Sequence, residues 1–433
     1  MTTDPKPTIV VLGGGLGGVT AAYELRHTLK DRAEIHLVSD QANFAFTPSN
    51  PWVAIGWRDP DAIQVPLASI MQRKGIVFTV ADVRRVDPSR NRLELADSAI
   101  IPFDYLVIAT GPDLAFDEIE GFGPDANTVS ICTTAHAESA HAAFLALCAD
   151  PGPVLIGAAQ GASCFGPAYE FAMMVDTELR RRKLRHLAPM TFVTPEPYIG
   201  HLGLDGIGDT RGMLEGELRN RDIKWITNAK THKIAPNSLE LEQVDDNGAI
   251  MPRTLPFAFA MLLPAFRGVS ALQGIDGLVN PRGFVLVDEF QRSPQFSNIF
   301  ALGVCIAIPP VGPTPVPVGV PKTGFMIEGM AAAIAANLAE VLEGRTPTHR
   351  ASGNAVCLAD FGDSGVAFVA EPQVPPRDVT WSAEGRWVHL AKGGLEKYFL
   401  NKVRHGTVEP FYERLALRVA GLHKLQEDSR VEA

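Results

Sequence analysis

The sequence predicts an α/β fold with two Rossmann-like nucleotide-binding units, the first split by the second, and an amphipathic C-terminal region. Three observations carry that expectation. The apolar run Thr8–Leu12 leads into Gly13-Gly14-Gly15-Leu16-Gly17-Gly18 and then a helical pattern. A second apolar run with glycines and a following helix, "VLIGAAQGASCFGPAYEF", starts at Val154. Beyond Gly344 the composition changes, and basic residues interleave with aromatics and leucines.

The first unit is read from its glycines. A second strand, "EIHLVSD", follows the helix and ends at Asp40. In such a unit Gly13 permits the tight turn, Gly15 lets backbone approach a pyrophosphate, and Gly18 lets helix and strand pack closely. The helix N-terminus then offers free amides and the positive end of its dipole to the phosphates. Either Ser39 or Asp40 stands where an acid usually grips the adenine ribose. Two later strands, "DYLVIATGP" (104–112, with Thr110 and Gly111) and "NIFALGV" (298–304, with Gly303), belong to the same unit. They resemble the return and late flavin segments of FAD-dependent pyridine nucleotide-disulfide oxidoreductases. In that superfamily an acid follows the late glycine and holds the ribityl chain, whereas Val304 stands here.

The second glycine turn is altered. Gly157 is present, but Ala159 holds the middle glycine position, where a side chain obstructs a pyrophosphate. The unit is therefore expected to keep the fold and lose nicotinamide binding. Cys164 falls near the start of the next helix, where a dipole would lower its pKa and make it a nucleophile. The alternative is a small buried core residue.

Composition narrows the classes. The chain has 433 residues, 46% hydrophobic and 20% charged, with a formal net charge of −10. A net negative charge of that size argues against nucleic-acid binding. No transmembrane run and no apolar signal-peptide core are expected in it. The five cysteines form no CxxC pair, so neither a disulfide framework nor a structural zinc site is expected, and no metal is assigned.

Seven further segments make the chain closely similar to sulfide:quinone oxidoreductases: "PSNPWVAIGW" (48–57), "SICT" (130–133), "GASCFGPAYE" (161–170), "EPYIGHLG" (196–203), "PKTGFMIE" (321–328), "NAVCLAD" (354–360) and "GRWVHLAK" (385–392). The resemblance implies FAD as cofactor, sulfide as electron donor and a membrane quinone, ubiquinone or menaquinone, as acceptor. It implies three redox cysteines, Cys132, Cys164 and Cys357. Cys164 and Cys357 would form the disulfide or polysulfur bridge beside the flavin, with Cys132 assisting sulfur entry or release. Cys148 and Cys305 match no family cysteine and are read as structural.

On this reading sulfide leaves as polysulfide or elemental sulfur and the flavin passes two electrons on. Lys322, ahead of a helix expected over residues 323–342, would stabilise the reduced flavin; a solvated lysine is the plain alternative. Glu170, His136 and His201 are candidate proton carriers, each histidine equally open to a structural role. Whether FAD is held covalently is left open, with Cys132 the residue to suspect.

The tail completes the architecture. Residues 309–321 hold six prolines, a stiff connector into the 323–342 helix. Between Arg386 and Lys424 eight Lys or Arg face three Glu within an acidic protein. That mixture suits either helices lying in a membrane interface, drawn to anionic lipid, or helices packed on a partner subunit of a homo-oligomer. The resemblance favours the membrane and places the protein peripherally on the cytoplasmic membrane. It makes Lys392, Phe411 and Tyr412 quinone-pocket residues, with Leu395 where the family has a phenylalanine.

The fold class expected is thus α/β: two Rossmann-like dinucleotide-binding domains plus a C-terminal amphipathic membrane-anchoring region. The discontinuous FAD domain spans 1–112 and 298–345, the second domain 113–297, and the redox-cysteine, quinone and membrane region 346–433. The rivals are a type II NADH:quinone dehydrogenase, the flavin subunit of a flavocytochrome c sulfide dehydrogenase, and a non-catalytic flavin-bound membrane scaffold.

Overall fold

The computed structural model describes residues 5–245, 247–409 and 422–426. Nine strands among them build two parallel sheets: β1 (Thr8–Leu12), β2 (Glu34–Ser39), β3 (Val77–Val80), β4 (Tyr105–Ile108), β5 (Val154–Ala158), β6 (Met190–Val193), β7 (Ile223–Ile226), β8 (Phe259–Leu263) and β9 (Ile299–Ala301). The first sheet runs β9-β4-β1-β2-β3 and the second β7-β6-β5-β8. All their pairings are parallel. β9 returns from late in the chain to pair with β4, so the first sheet draws on both sides of the second.

The strands are short apolar runs because a parallel sheet is covered on both faces. Ile9, Val10, Leu37, Val107 and Phe300 are fully buried in the first core. Helix α1 (Leu16–Leu29) follows β1, α2 (Thr134–Ala149) precedes β5, and α3 (Gly166–Arg181) follows it. Helix α4 (Gly324–Leu342) starts one residue from where the sequence expects it and packs against α1. Among the described residues it alone is long and apolar enough to cross a membrane, with mean hydropathy 1.5, yet 61% of it is buried inside the protein. Its apolar side chains fill the first core, so it acts here as a core helix.

A three-stranded antiparallel sheet (Ala355–Asp360, Gly365–Glu371, Val379–Glu384) and helix α5 (Trp387–His405) follow. This sheet is clamped to the second unit. Thr177 on α3 donates to the Phe361 carbonyl at 2.7 Å, and the Arg221 guanidinium reaches both Asp176 at 3.2 Å and Asp363 at 2.5 Å. The clamp fixes the strand carrying Cys357 against the unit carrying Cys164.

Candidate active site

β1 lies where the strand order of the first sheet reverses, and ligands bind at the carboxyl ends of strands at such a switch point. The glycine turn there is built by steric exclusion. Gly13 has φ +117°, and a Cβ on it would stand 2.3 Å from the Ala109 carbonyl oxygen. A Cβ on Gly18 would stand 1.8 Å from the Gly13 carbonyl oxygen. Gly15 differs, because a Cβ there would meet nothing within 4 Å; it borders open space ahead of α1. Ser39 is buried, with its hydroxyl where a Cβ on Gly14 would go, whereas Asp40 is exposed at the rim.

Opposite this cradle, Gly111 (φ +69°) and Gly303 (φ +80°) hold left-handed conformations, with Thr110 bonding the Gly111 carbonyl at 3.0 Å. The Thr323 hydroxyl at the α4 N-cap is buried with no hydrogen-bond partner in the protein. Beside it, Lys322 lies over the Phe284 ring at 5.2 Å. Burial lowers its pKa to about 8, against the opposing influence of Cys305 and Cys164.

The altered second turn is occupied from within. Gln160 clamps Thr231, accepting from its N–H at 3.0 Å and donating to its carbonyl at 2.9 Å. The proline-rich connector lies along the same loop. Gly161 N–H donates to the Pro317 carbonyl at 2.7 Å, and Gly319 N–H to the Ala162 carbonyl at 2.8 Å. The Gly161 amide, of the kind that would serve phosphate in a nucleotide loop, is thus already bonded to protein.

Cys164 ends this loop, two residues before the first residue of α3. Cys357 lies on the strand Ala355–Asp360, and Cys132 just ahead of α2. All five cysteines are free thiols. Burial pushes Cys164 up to about 12, raised further by Cys132 and Glu170 and eased by Lys322. Burial pushes Cys357 to about 12, with Cys164 adding to the rise. Cys132 rises to about 11 through burial, offset by Ser130. The expectation of a dipole-lowered Cys164 is therefore corrected: the residue sits outside the first turn of α3 and its sulfur is enclosed. The three thiols still influence one another, with Cys164 in the middle. Cys148 packs against the second core, and Cys305 is fully buried, its thiol reaching the Leu302 carbonyl at 3.1 Å.

The other candidates separate. Glu170 is buried on α3 in an ion pair with Lys392 of α5. Burial raises Glu170 to about 7, and Lys392 works against that rise. Lys392 lies 5.3 Å from the Trp52 ring centroid and is buried, so the lysine expected in the quinone pocket is already held by a carboxylate. Leu395, 36% exposed, sits one turn farther along α5; Phe411 and Tyr412 lie outside the described residues.

His136 bonds Ser130 at 3.1 Å, and Ser130 accepts the Cys132 N–H at 3.2 Å and also bonds the Cys132 side chain, which ties this histidine to a thiol. His201 is buried away from solvent, and its Nδ1 accepts the Gly203 N–H at 3.2 Å within its own loop. Burial lowers the pKa of both imidazoles.

Sequence reasoning passed over Asp360 and Trp52, although both stand inside the quoted segments. Asp360 is fully buried and accepts from the Trp52 indole at 2.8 Å. It also missed Glu196, which accepts from Tyr169 and Thr194 hydroxyls at 2.7 Å each and from Leu202 N–H at 2.7 Å.

Burial raises Glu196 to about 7 from 4.5. A raised acid contributes its full stability below about 4.5 and loses it as pH climbs through about 7. Glu196→Gln should therefore gain on the wild type by about 2–3 kcal/mol between pH 5 and pH 8. Denaturant unfolding at the two pH values measures this.

The profile of the pyridine nucleotide-disulphide oxidoreductase family matches residues 7–147. The sulfide-quinone reductase of Aquifex aeolicus is 41% identical over 413 residues, covering 95% of this chain and 94% of that one. The chain belongs to the sulfide:quinone reductase family. The crystal structure of the Aquifex sulfide:quinone oxidoreductase superposes with a TM-score of 0.93, covering 99% of this chain and 98% of the other. A mitochondrial sulfide:quinone oxidoreductase of Schizosaccharomyces pombe is 23% identical, covering 85% of this chain and 81% of its own. Sulfide:quinone reductases are FAD-binding oxidoreductases, and the residues here fit that cofactor. The open face at Gly15 suits a pyrophosphate, and the unpartnered Thr323 hydroxyl with Lys322 suits a polar ring edge at the start of α4.

Proposed function

We propose that this chain oxidises sulfide at the Cys164–Cys357 pair and delivers the electrons to a membrane quinone. The observation that carries the proposal is the electrostatic linkage centred on Cys164: Cys132, Glu170 and Lys322 act on it, and it in turn acts on Cys357. FAD, when bound, takes the electron pair from sulfur and hands it on to the quinone.

The residues supply the rest. Hydrosulfide attacks one sulfur of the oxidised Cys164–Cys357 bridge; an S–S bond to it forms as the inter-cysteine bond breaks, leaving a persulfide on one cysteine and a thiolate on the other. That thiolate needs a cation, because burial holds both thiols near 12. Lys322 is the cation that eases Cys164. Glu170, raised to about 7, acts on the same thiol and suits proton acceptance at neutral pH. His136 serves Cys132 through Ser130, whereas His201 holds its loop. Gly13, Gly15 and Gly18 cradle the cofactor's phosphates, and the exposed Asp40 takes the ribose, with Ser39 packed behind the turn. Thr110, Gly111 and Gly303 border the remainder.

The domain reading assigns β1–β4 and β9 to the FAD domain and β5–β8 to a second domain that holds no nicotinamide, supported by the connector on its loop. Docking at a lipid surface is supported by an exposed apolar face. Leu390 is 76% exposed, with Trp387 and Leu395 on α5 and Trp381 on the preceding strand, and Lys397 and Arg404 are exposed on the same helix. Indole rings and aliphatic groups beside cations suit a membrane interface. The quinone would enter there, with its ring toward Glu170 and Lys392.

The test is anaerobic. Sulfide should bleach the flavin band, a soluble quinone should restore it, and NADH should leave it unchanged. Bleaching by NADH and not by sulfide would overturn the proposal.

A further inference from the structure

The Glu170–Lys392 pair is enclosed, yet a quinone that takes two electrons must also take two protons from solvent. The structure offers a connected set of groups from that pair to the surface. Asp360 is its hinge. Its backbone N–H donates to the Glu170 carboxylate. Its own carboxylate accepts from the Trp52 indole at 2.8 Å, from Gly362 N–H at 2.8 Å, and from His389 Nδ1 at 2.9 Å to each oxygen. With three donors aimed at it, this carboxylate is an acceptor in a fixed geometry. The arrangement sets the His389 tautomer, because Nδ1 must carry its hydrogen to donate.

Nε2 is then the nitrogen left to exchange protons. The His389 side chain is 40% exposed, in contrast to the enclosed Glu170, Lys392 and Asp360. It is edged by the rings of Trp52 and Trp57, with centroids at 6.3 and 6.4 Å. His389 and Lys392 are three residues apart on α5, so their side chains share one face with Cβ atoms about 5–6 Å apart. The proposed relay places one water between His389 Nε2 and the Lys392 amine.

We propose that His389, oriented by Asp360, is the entry point through which solvent protons reach the Glu170–Lys392 pair during quinone reduction. Nε2 takes a proton from solvent while Nδ1–H stays on Asp360. The imidazolium then releases the Nε2 proton through water to the Lys392 amine or the Glu170 carboxylate, whichever has just given its own to a quinone oxygen. Two such transfers accompany the two electrons and yield the quinol, and His389 returns to the neutral form each time. His389 acts through the pair and does not touch the quinone. The inference rests on the proposed placement of the quinone beside Glu170 and Lys392.

Stopped-flow measurement of the two half-reactions tests it on the FAD-loaded enzyme. His389→Asn keeps a donor toward Asp360 and removes Nε2. It should leave flavin reduction by sulfide at the wild-type rate and slow reoxidation by a soluble quinone at least tenfold, with added imidazole restoring most of the loss. Reoxidation at the wild-type rate would overturn the inference, as would a slow rate that imidazole does not restore, which marks a structural role. His389→Gln, whose amide takes the Nε2 position and cannot relay a proton, is the second variant should the first be unstable. Glu170→Gln separates the two readings: if it too reoxidises at the wild-type rate, the quinone placement itself is wrong.

Discussion

Replacing Cys357 with serine should slow reduction of the flavin by sulfide by at least about 10³-fold, the scale seen when a covalent nucleophile is removed. A serine hydroxyl cannot enter a sulfur–sulfur bond, so the Cys164–Cys357 disulfide that accepts sulfide cannot form. The strand Ala355–Asp360 remains pinned by the Thr177 and Arg221 contacts, so the flavin should stay bound with an unchanged visible spectrum. Cys148→Ser is the matched control, since Cys148 packs against the second core and the charged groups acting on it are Arg182 and Glu178. Stopped-flow bleaching of the two variants side by side gives the comparison. An equal rate for both would remove Cys357 from the chemistry.

Lys392→Met should be costly in two separable ways. It leaves the buried Glu170 carboxylate without its cation, a kind of loss worth about 3–5 kcal/mol. The sign of its pH dependence follows from Glu170, already raised to about 7 by burial. Without Lys392 that pKa climbs further, so the loss is small in acid, where the carboxyl is protonated, and largest above neutrality. Adding Glu170→Gln should recover most of the stability, because the orphaned charge is gone. It should not recover quinone-driven reoxidation, which is expected to stay down by about 10²-fold. Recovery of both stability and reoxidation in the double variant would make the pair purely structural.

Local chemistry was legible in the sequence where it rests on backbone sterics. Gly13 and Gly18 stand where any Cβ would strike a carbonyl, and α4 starts at Gly324 behind its Thr323 cap, one residue from the expected start. The redox cysteines were reachable through the resemblance, since nothing local marks Cys357 on its strand. What escaped depends on approach between distant segments. The rise of Cys164 to about 12 comes from enclosure, and position next to a helix says nothing of enclosure. The Glu170–Lys392 pair spans 222 residues, so Lys392 was read as a quinone-pocket residue with no sign of the carboxylate that holds it. The Asp360 bond to Trp52 spans 308 residues, and an aspartate after an apolar strand carries no mark of such a partner.

The connector 309–321 was read only as a stiff spacer. Its bonds from Pro317 and Gly319 to the altered turn give it a second consequence. A nicotinamide dinucleotide would have to peel away this segment, and with it the lead-in to Lys322 and α4, before reaching the loop. On the proposed reading the same stretch of backbone closes one electron supply and helps build the site for the other. Turnover would follow the availability of sulfide and oxidised quinone, indifferent to the ratio of reduced to oxidised nicotinamide around it.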